Sequence, residues 1–183
     1  MKKPYIIFAI IIIVASGLVY LFRMGWYPLA IINSELIWGW QLDKEHRAAN
    51  QYLEKAVKTY DINNQAKNKD LRMAALNNII ERLLITDGFQ KLSKIENSKI
   101  IEDKISKYQE DIKLSAAAST LFNLTSEEFL ALVIVPQAEK EALAETLKDE
   151  GRDLDQWLDG VKKKAKIYLF TEEFRWVDGR LIY

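Results

Sequence analysis

The sequence predicts a mainly α protein: an N-terminal transmembrane helix (residues 1–23 with its short flank), a helical domain (24–170) and a C-terminal tail or small hairpin (171–183). Three observations predict it. Tyr5 to Phe22 is a run without one charged residue. Only three prolines and seven glycines punctuate the 183 residues, and beyond the run apolar residues recur at the three- and four-residue spacing of a helix. Two short β-forming runs, Leu29–Ile32 and Ile167–Phe170, stand at opposite ends of the helical part, where a two-stranded sheet would join its ends.

The first element is bounded by Lys2 and Lys3 before it and by Arg23, Trp26 and Tyr27 after it. Eighteen helical residues rise about 27 Å, close to the roughly 30 Å hydrocarbon core of a bilayer, with Trp26 and Tyr27 at the interfacial level. A cleaved secretory signal is the rival, with Ala15, Ser16 and Gly17 as a cleavage site. Apolar sequence continues from Leu18 to Phe22, however, beyond the usual signal core of about 7–15 residues, which favours an uncleaved signal-anchor. The chain has no cysteine, so it cannot be processed as a lipoprotein. Two lysines before the run against Arg23 after it favour a cytoplasmic N-terminus. The expected location is single-pass in the plasma membrane, with the domain extracytoplasmic.

Taking Lys2 and Lys3 from the 26 basic residues leaves 24 against 26 acidic ones. The signs are interspersed, which excludes the clustered cations that a nucleic-acid surface needs. With no disulfides to form, packing must stabilise the external domain.

Leu29–Ile32, bounded by Pro28 and Asn33-Ser34, is too short for a helix and reads as a strand. Ser34 is the expected N-cap of a first helix over about Glu35–Thr59. Asp61 to Asp70, with Asn63-Asn64-Gln65, reads as a loop. A second helix, Leu71–Leu92, carries Leu76, Ile79, Ile80, Leu83, Leu84 and Phe89 and should be central. A third, Lys99–Leu114, should bury Ile101, Ile105, Tyr108 and Ile112. Thr125 with Glu128 three residues on forms a capping box for a fourth helix, and Leu124 with Phe129 occupies the hydrophobic-staple positions. Pro136 inside this helix should kink or restart it near Val135. Asn123-Leu124-Thr125 is also a glycosylation sequon, but capping explains Thr125 without it. A fifth helix starts at Asp153 with Gln156 and ends in Lys162-Lys163-Lys164, a solvated last turn facing the negative end of the helix dipole. After the second strand, Asp178-Gly179 among β-formers suits a type I′ hairpin, and an extended tail is the other reading.

Chemistry-bearing constellations are sparse. His46 is the only histidine, in the charged stretch Asp43 to Arg47. No metal set, nucleophilic triad or glycine-rich phosphate cradle can be assembled. The expectation is a non-enzyme with no cofactor and no metal.

The ordered segments Ile31 to Ile37, Leu76 to Ile85, Ile95 to Ile105 and Phe122 to Phe129 resemble the N-terminal chaperone domain of the SurA, PrsA and PpiD foldases. The likeness covers about Pro28 to Leu147, and Leu154 to Phe170 is similar to the returning helix and strand of those proteins. The resemblance implies an orthogonally packed helical domain, extracytoplasmic and membrane-tethered, whose first strand pairs with a late one. The parvulin isomerase domain that many members insert has no counterpart between Leu147 and Asp153, so no isomerase activity is expected. What it implies is a chaperone that binds unfolded or newly translocated proteins as peptide segments, without covalent chemistry. Candidate polypeptide contacts are Trp40, Phe122, Phe129, Leu132 and Trp157, each of which could instead be core. The competing reading is a membrane-anchored structural or assembly subunit with one fixed partner. The sequence also leaves open a homo-oligomer.

Overall fold

The computed structural model describes residues 3–60, 68–92, 96–109 and 112–183. Helix α1 (Lys3–Arg23) leads into β1 (Pro28–Ile32) and β2 (Glu35–Trp38), followed by α2 (Gly39–Tyr60), α3 (Asn68–Leu92), α4 (Glu96–Gln109) and α5 (Ile112–Phe122). Then come α6 (Ser126–Phe129), a π-helical segment (Leu130–Ile134), α7 (Val135–Asp149), α8 (Leu154–Lys164), and strands β3 (Ile167–Leu169), β4 (Arg175–Val177) and β5 (Arg180–Ile182). The protein is mainly helical with small antiparallel sheets.

Among the described residues no helix is long and apolar enough to cross a membrane. The described residues therefore do not support the transmembrane reading of Tyr5 to Phe22.

The expected pairing of the two ends is present. β1 lies in the middle of a three-stranded antiparallel sheet of order β2-β1-β3, with Ala30 opposite Leu169, Ile31 opposite Tyr168 and Ile32 opposite Ile167. The third strand corrects the first-helix boundary. Asn33-Ser34 is the two-residue loop of a β1–β2 hairpin, with Asn33 at φ 55°, and is no helix cap. Asparagine tolerates that left-handed conformation better than most residues. The helix starts later, at Gly39, where the Gln41 side chain accepts the Trp38 N–H at 2.8 Å.

α3 is central as expected: Leu76, Ile80 and Leu84 are fully buried and Ile79 nearly so. It packs against α2, α7 and α8. The inward residues of the sheet, Ala30, Ile32 and Ile37, close the same core with Leu42, Leu143, Leu147 and Phe174. Gly88 on α3 is a packing requirement, because a Cβ there would lie 2.2 Å from Trp157 Cη2. The single third helix is corrected to two, α4 and α5. Of its expected core residues, Ile101 and Ile105 are half-buried, while Tyr108 and Ile112 lie outside the residues whose side chains are described.

A second apolar cluster, Ala118, Leu124, Phe129 and Ile134, lies beneath the α5–α6 connection. Asn123 at φ 53° reverses the chain there, and Leu124 N–H donates to Ala118 O at 3.1 Å. The capping box is complete: Thr125 Oγ1 accepts from Glu128 N–H at 3.1 Å, and Glu128 Oε2 accepts from Thr125 N–H at 2.9 Å. Pro136 has the expected effect by a particular route. The backbone widens into the π segment, Val135 N–H donates to Leu130 O, and α-helix resumes at Val135. Proline lacks an N–H and crowds the preceding turn, and a π turn is one way to absorb that.

At the C-terminal end, Asp153 caps α8 by accepting from Gln156 N–H at 3.0 Å. The lysine run is only partly solvated, because Lys162 pairs with Glu81 of α3 and its side chain is 14% exposed. Of the two readings for the last residues, the hairpin is observed. Asp178 (φ 48°) and Gly179 (φ 80°) form its turn, Trp176 pairs with Leu181, and both pack on the main core. Arg72 holds this end to the helices, bonding Asp43 at 2.8 Å and Glu173 at 3.1 Å. These carboxylates, against the opposing effect of burial, raise its already high pKa.

Candidate functional site

The early residues of α2 follow directly from the sheet. Gly25, at φ +77°, has no room for a Cβ, which would meet Trp40 N at 2.6 Å, and its carbonyl accepts the Trp40 N–H at 2.9 Å. This fixes Trp40 at the first turn of α2. There it remains 38% exposed, facing the segment that Pro136 has widened.

Between them lies a cleft of about 330 Å³, whose floor is Trp40, Ala131 and Leu132 and whose walls are Lys44, Glu45, Arg82 and Glu128. A second cleft of about 460 Å³ adjoins it, formed by α2 from Lys44 to Glu54 and by Phe122, Asn123 and Leu124. Lys44 and Glu128 belong to both. Their side chains bridge at 2.7 Å, so one ion pair spans α2 and α6 and separates the two openings. Lys44 and the capping bond to Thr125 hold the Glu128 carboxyl below its usual pKa.

The deeper ion pair behaves differently. Glu45 Oε1 sits 2.5 Å from Arg82 Nη2, but buried and without the alignment of a hydrogen bond. Burial pushes the Glu45 pKa up, and the attraction of Arg82 offsets only part of that rise. A largely buried carboxylate held by one arginine thus stands in the wall of the first cleft.

The structure divides the five candidate contacts. Trp40 and Leu132 share the first cleft, and Phe122 lines the second, stacked on the exposed Tyr52 at 5.2 Å and 9°. Phe129 is corrected to core: it is 7% exposed, tilted against Phe122 at 5.4 Å. The staple contact that places it also buries it. Trp157 stands apart from both clefts: it is half-buried on α8 against Gly88, packs on the main core and lines a separate cleft of about 440 Å³ with Arg152, Gln156 and Val161. His46 hydrogen-bonds Asn50 at 3.1 Å, and among the described residues no group of His, Cys, Asp or Glu could hold a metal ion. Sequence reasoning missed Lys44, Glu45 and Arg82. For Lys44 and Glu45 the only signal was the charged stretch Asp43 to Arg47, and their partners, Glu128 and Arg82, lie far along the chain.

Neither cleft is lined by a serine, threonine or cysteine. An apolar floor, open to solvent and rimmed by a cation and carboxylates, suits a large apolar side chain whose flanking backbone is polar. No protein-family model, curated protein or solved structure matches this chain.

Proposed function

We propose that the chain is a membrane-anchored extracytoplasmic chaperone that holds unfolded or newly translocated polypeptides by non-covalent apolar contacts, without isomerase activity. The observation that carries this reading is the cleft between α2 and the π segment, where Trp40 and Leu132 form an open apolar floor beside the cleft of Phe122. The anchor is supported by the eighteen uncharged residues Tyr5 to Phe22 within a 21-residue helix, about 31 Å long. Lys2 and Lys3 support a cytoplasmic N-terminus. The β1–β3 pairing is the closure that the foldase resemblance implies.

The energetics suit holding. Seating one Leu- or Phe-sized side chain on the floor is worth about 1.5–3 kcal/mol, too little for lasting capture by one contact once ordering costs are met. Two adjoining clefts let an extended segment add contacts while each stays reversible. Lys44 and Glu128 at the shared rim offer a donor and acceptors to backbone groups that an unfolded chain leaves unpaired.

The test is light scattering of a denatured client diluted into vesicles carrying the full chain, with and without Trp40→Ala plus Leu132→Ser. Suppression by the parent and its loss in the variant are expected. No suppression across several clients would end the chaperone reading.

One observation favours the alternative, a membrane-anchored assembly subunit binding one fixed partner: the Lys44–Glu128 bridge divides the apolar surface into two small, shaped openings. Crosslinking in intact cells separates the two, many unrelated clients supporting the chaperone and a single stoichiometric protein the subunit.

A further inference from the structure

We infer that the outer face of the β2-β1-β3 sheet rests on the lipid headgroup region of the membrane that holds α1, an inference that rests on the anchor reading above. The face follows from the register. Ile31 stands opposite both Leu36 and Tyr168, and cross-strand partners share a face, so these three form one outward row while Ala30, Ile32 and Ile37 point into the core. Trp38, two positions further along β2, lies on the same side, and Phe170, just past β3, is exposed beside the buried Leu29 to whose carbonyl its N–H donates. Antiparallel sheets with one open face normally turn polar residues outward. Here Tyr168 is 62% exposed, Phe170 57% and Leu36 40%, and none of these outward positions carries a charge. The next outward position along β3 is Lys166, an exposed cation at the rim.

The occupant is argued from continuity with α1. Trp26, three residues past Arg23 and 57% exposed, contacts Trp38 at 6.2 Å between ring centroids. The connection is held, since Phe22 stacks on Tyr27 at 5.8 Å, Gly39 N–H donates to Tyr27 O at 2.9 Å and Trp40 N–H donates to Gly25 O at 2.9 Å. The uncharged face therefore begins where the bilayer-level helix ends. Trp, Tyr and Phe with a lysine at the edge are the residues that settle at a headgroup boundary, with ring bodies among acyl chains and polar tips or ammonium groups among phosphates.

Because the chain has no cysteine, single labels report position cleanly. Tyr168→Cys, carrying a nitrobenzoxadiazole label, is placed in the full chain in phosphatidylcholine vesicles containing a lipid with a shallow doxyl quencher. Leu36→Cys serves as a second label on the same face, Leu18→Cys as the anchor reference and Lys148→Cys, at the end of α7, as the distal one. The Tyr168 and Leu36 labels are expected to emit at shorter wavelength and to be quenched several-fold more than the Lys148 label. Water-like emission at both while Leu18 is quenched overturns the inference and leaves the anchor standing. No quenching at Leu18 either overturns both. A blue shift at Tyr168 without quenching means that protein, a second copy or a partner, covers the face, and also overturns it.

Discussion

Replacing Tyr168 with proline tests the closure of the domain. Asn33 N–H donates to Lys166 O at 2.9 Å and Phe170 N–H to Leu29 O at 2.8 Å. Antiparallel ladders alternate, so these two bonds put Ile31 and Tyr168 in a hydrogen-bonded pair, with the Tyr168 N–H directed at the Ile31 carbonyl. Proline deletes that donor and places its ring between β3 and the central strand, the side on which proline is not tolerated. Losing the bond costs about 1 kcal/mol and leaving the Ile31 carbonyl without its partner about 1–3 more, roughly 3 kcal/mol in all. For a domain of this size that is a fall of about 6–12 °C in Tm. The side chain contributes little because it is 62% exposed, so Tyr168→Thr is the control, expected within about 0.5 kcal/mol of the parent. Urea unfolding of the full chain, followed by tryptophan fluorescence, measures both. A Tyr168→Pro protein that unfolds with Tyr168→Thr would refute the pairing as the closure of the domain.

Thr125→Ala should cost about 1 kcal/mol by removing the acceptor for Glu128 N–H, seen as a lower urea midpoint with an unchanged slope. Gly88→Ala should destabilise the protein even though alanine favours helix by up to about 1 kcal/mol, because the new methyl displaces the Trp157 ring; near-ultraviolet circular dichroism would report the ring, and a more stable variant would contradict the packing. Tyr183 bonds Asp70, which lifts its hydroxyl to about 12 from 10.0. With the folded pKa raised, its contribution is present below pH 10 and is lost as pH rises through 12, so Tyr183→Phe should flatten stability between those values in an alkaline unfolding series.

What was legible in the sequence was local or paired by elimination. The capping box at Thr125, the N-cap at Asp153 and the turn at Asp178-Gly179 are decided within four residues, and each is found where its signal lies. The β1–β3 pairing was legible because a short apolar strand must find a partner and only one other run of its length stood at the far end. The start of α2 was not. Serine serves equally as a helix cap or in a turn, and Glu35 to Trp38 is too short to show whether its period is 2 or 3.6; the conformation of Asn33 and the partner strand decide it. The division of α4 from α5 left no proline or glycine to mark it. At the site, the foldase resemblance brought out Trp40, Phe122 and Leu132 as candidate contacts, but not which of them would face each other. Phe129 could have been set aside from the sequence alone, since a staple residue is buried by the contact that defines it. The pairs Lys44–Glu128 and Glu45–Arg82 depend on how helices cross, which no local pattern records.

The central position of β1 also orders the folding events. Ile31 and Tyr168 are 137 positions apart, and closing a loop of that length costs about 4 kcal/mol in chain entropy. As the chain leaves the ribosome or a translocation pore, the β1–β2 hairpin can form early, but one flank of β1 stays open until almost the whole domain has followed. An unpaired apolar edge held for that interval is a template for another chain's strand. The slow step of folding is then expected to be the arrival of β3 rather than the assembly of the helices, with crowded nascent copies expected to compete for the same row of hydrogen bonds.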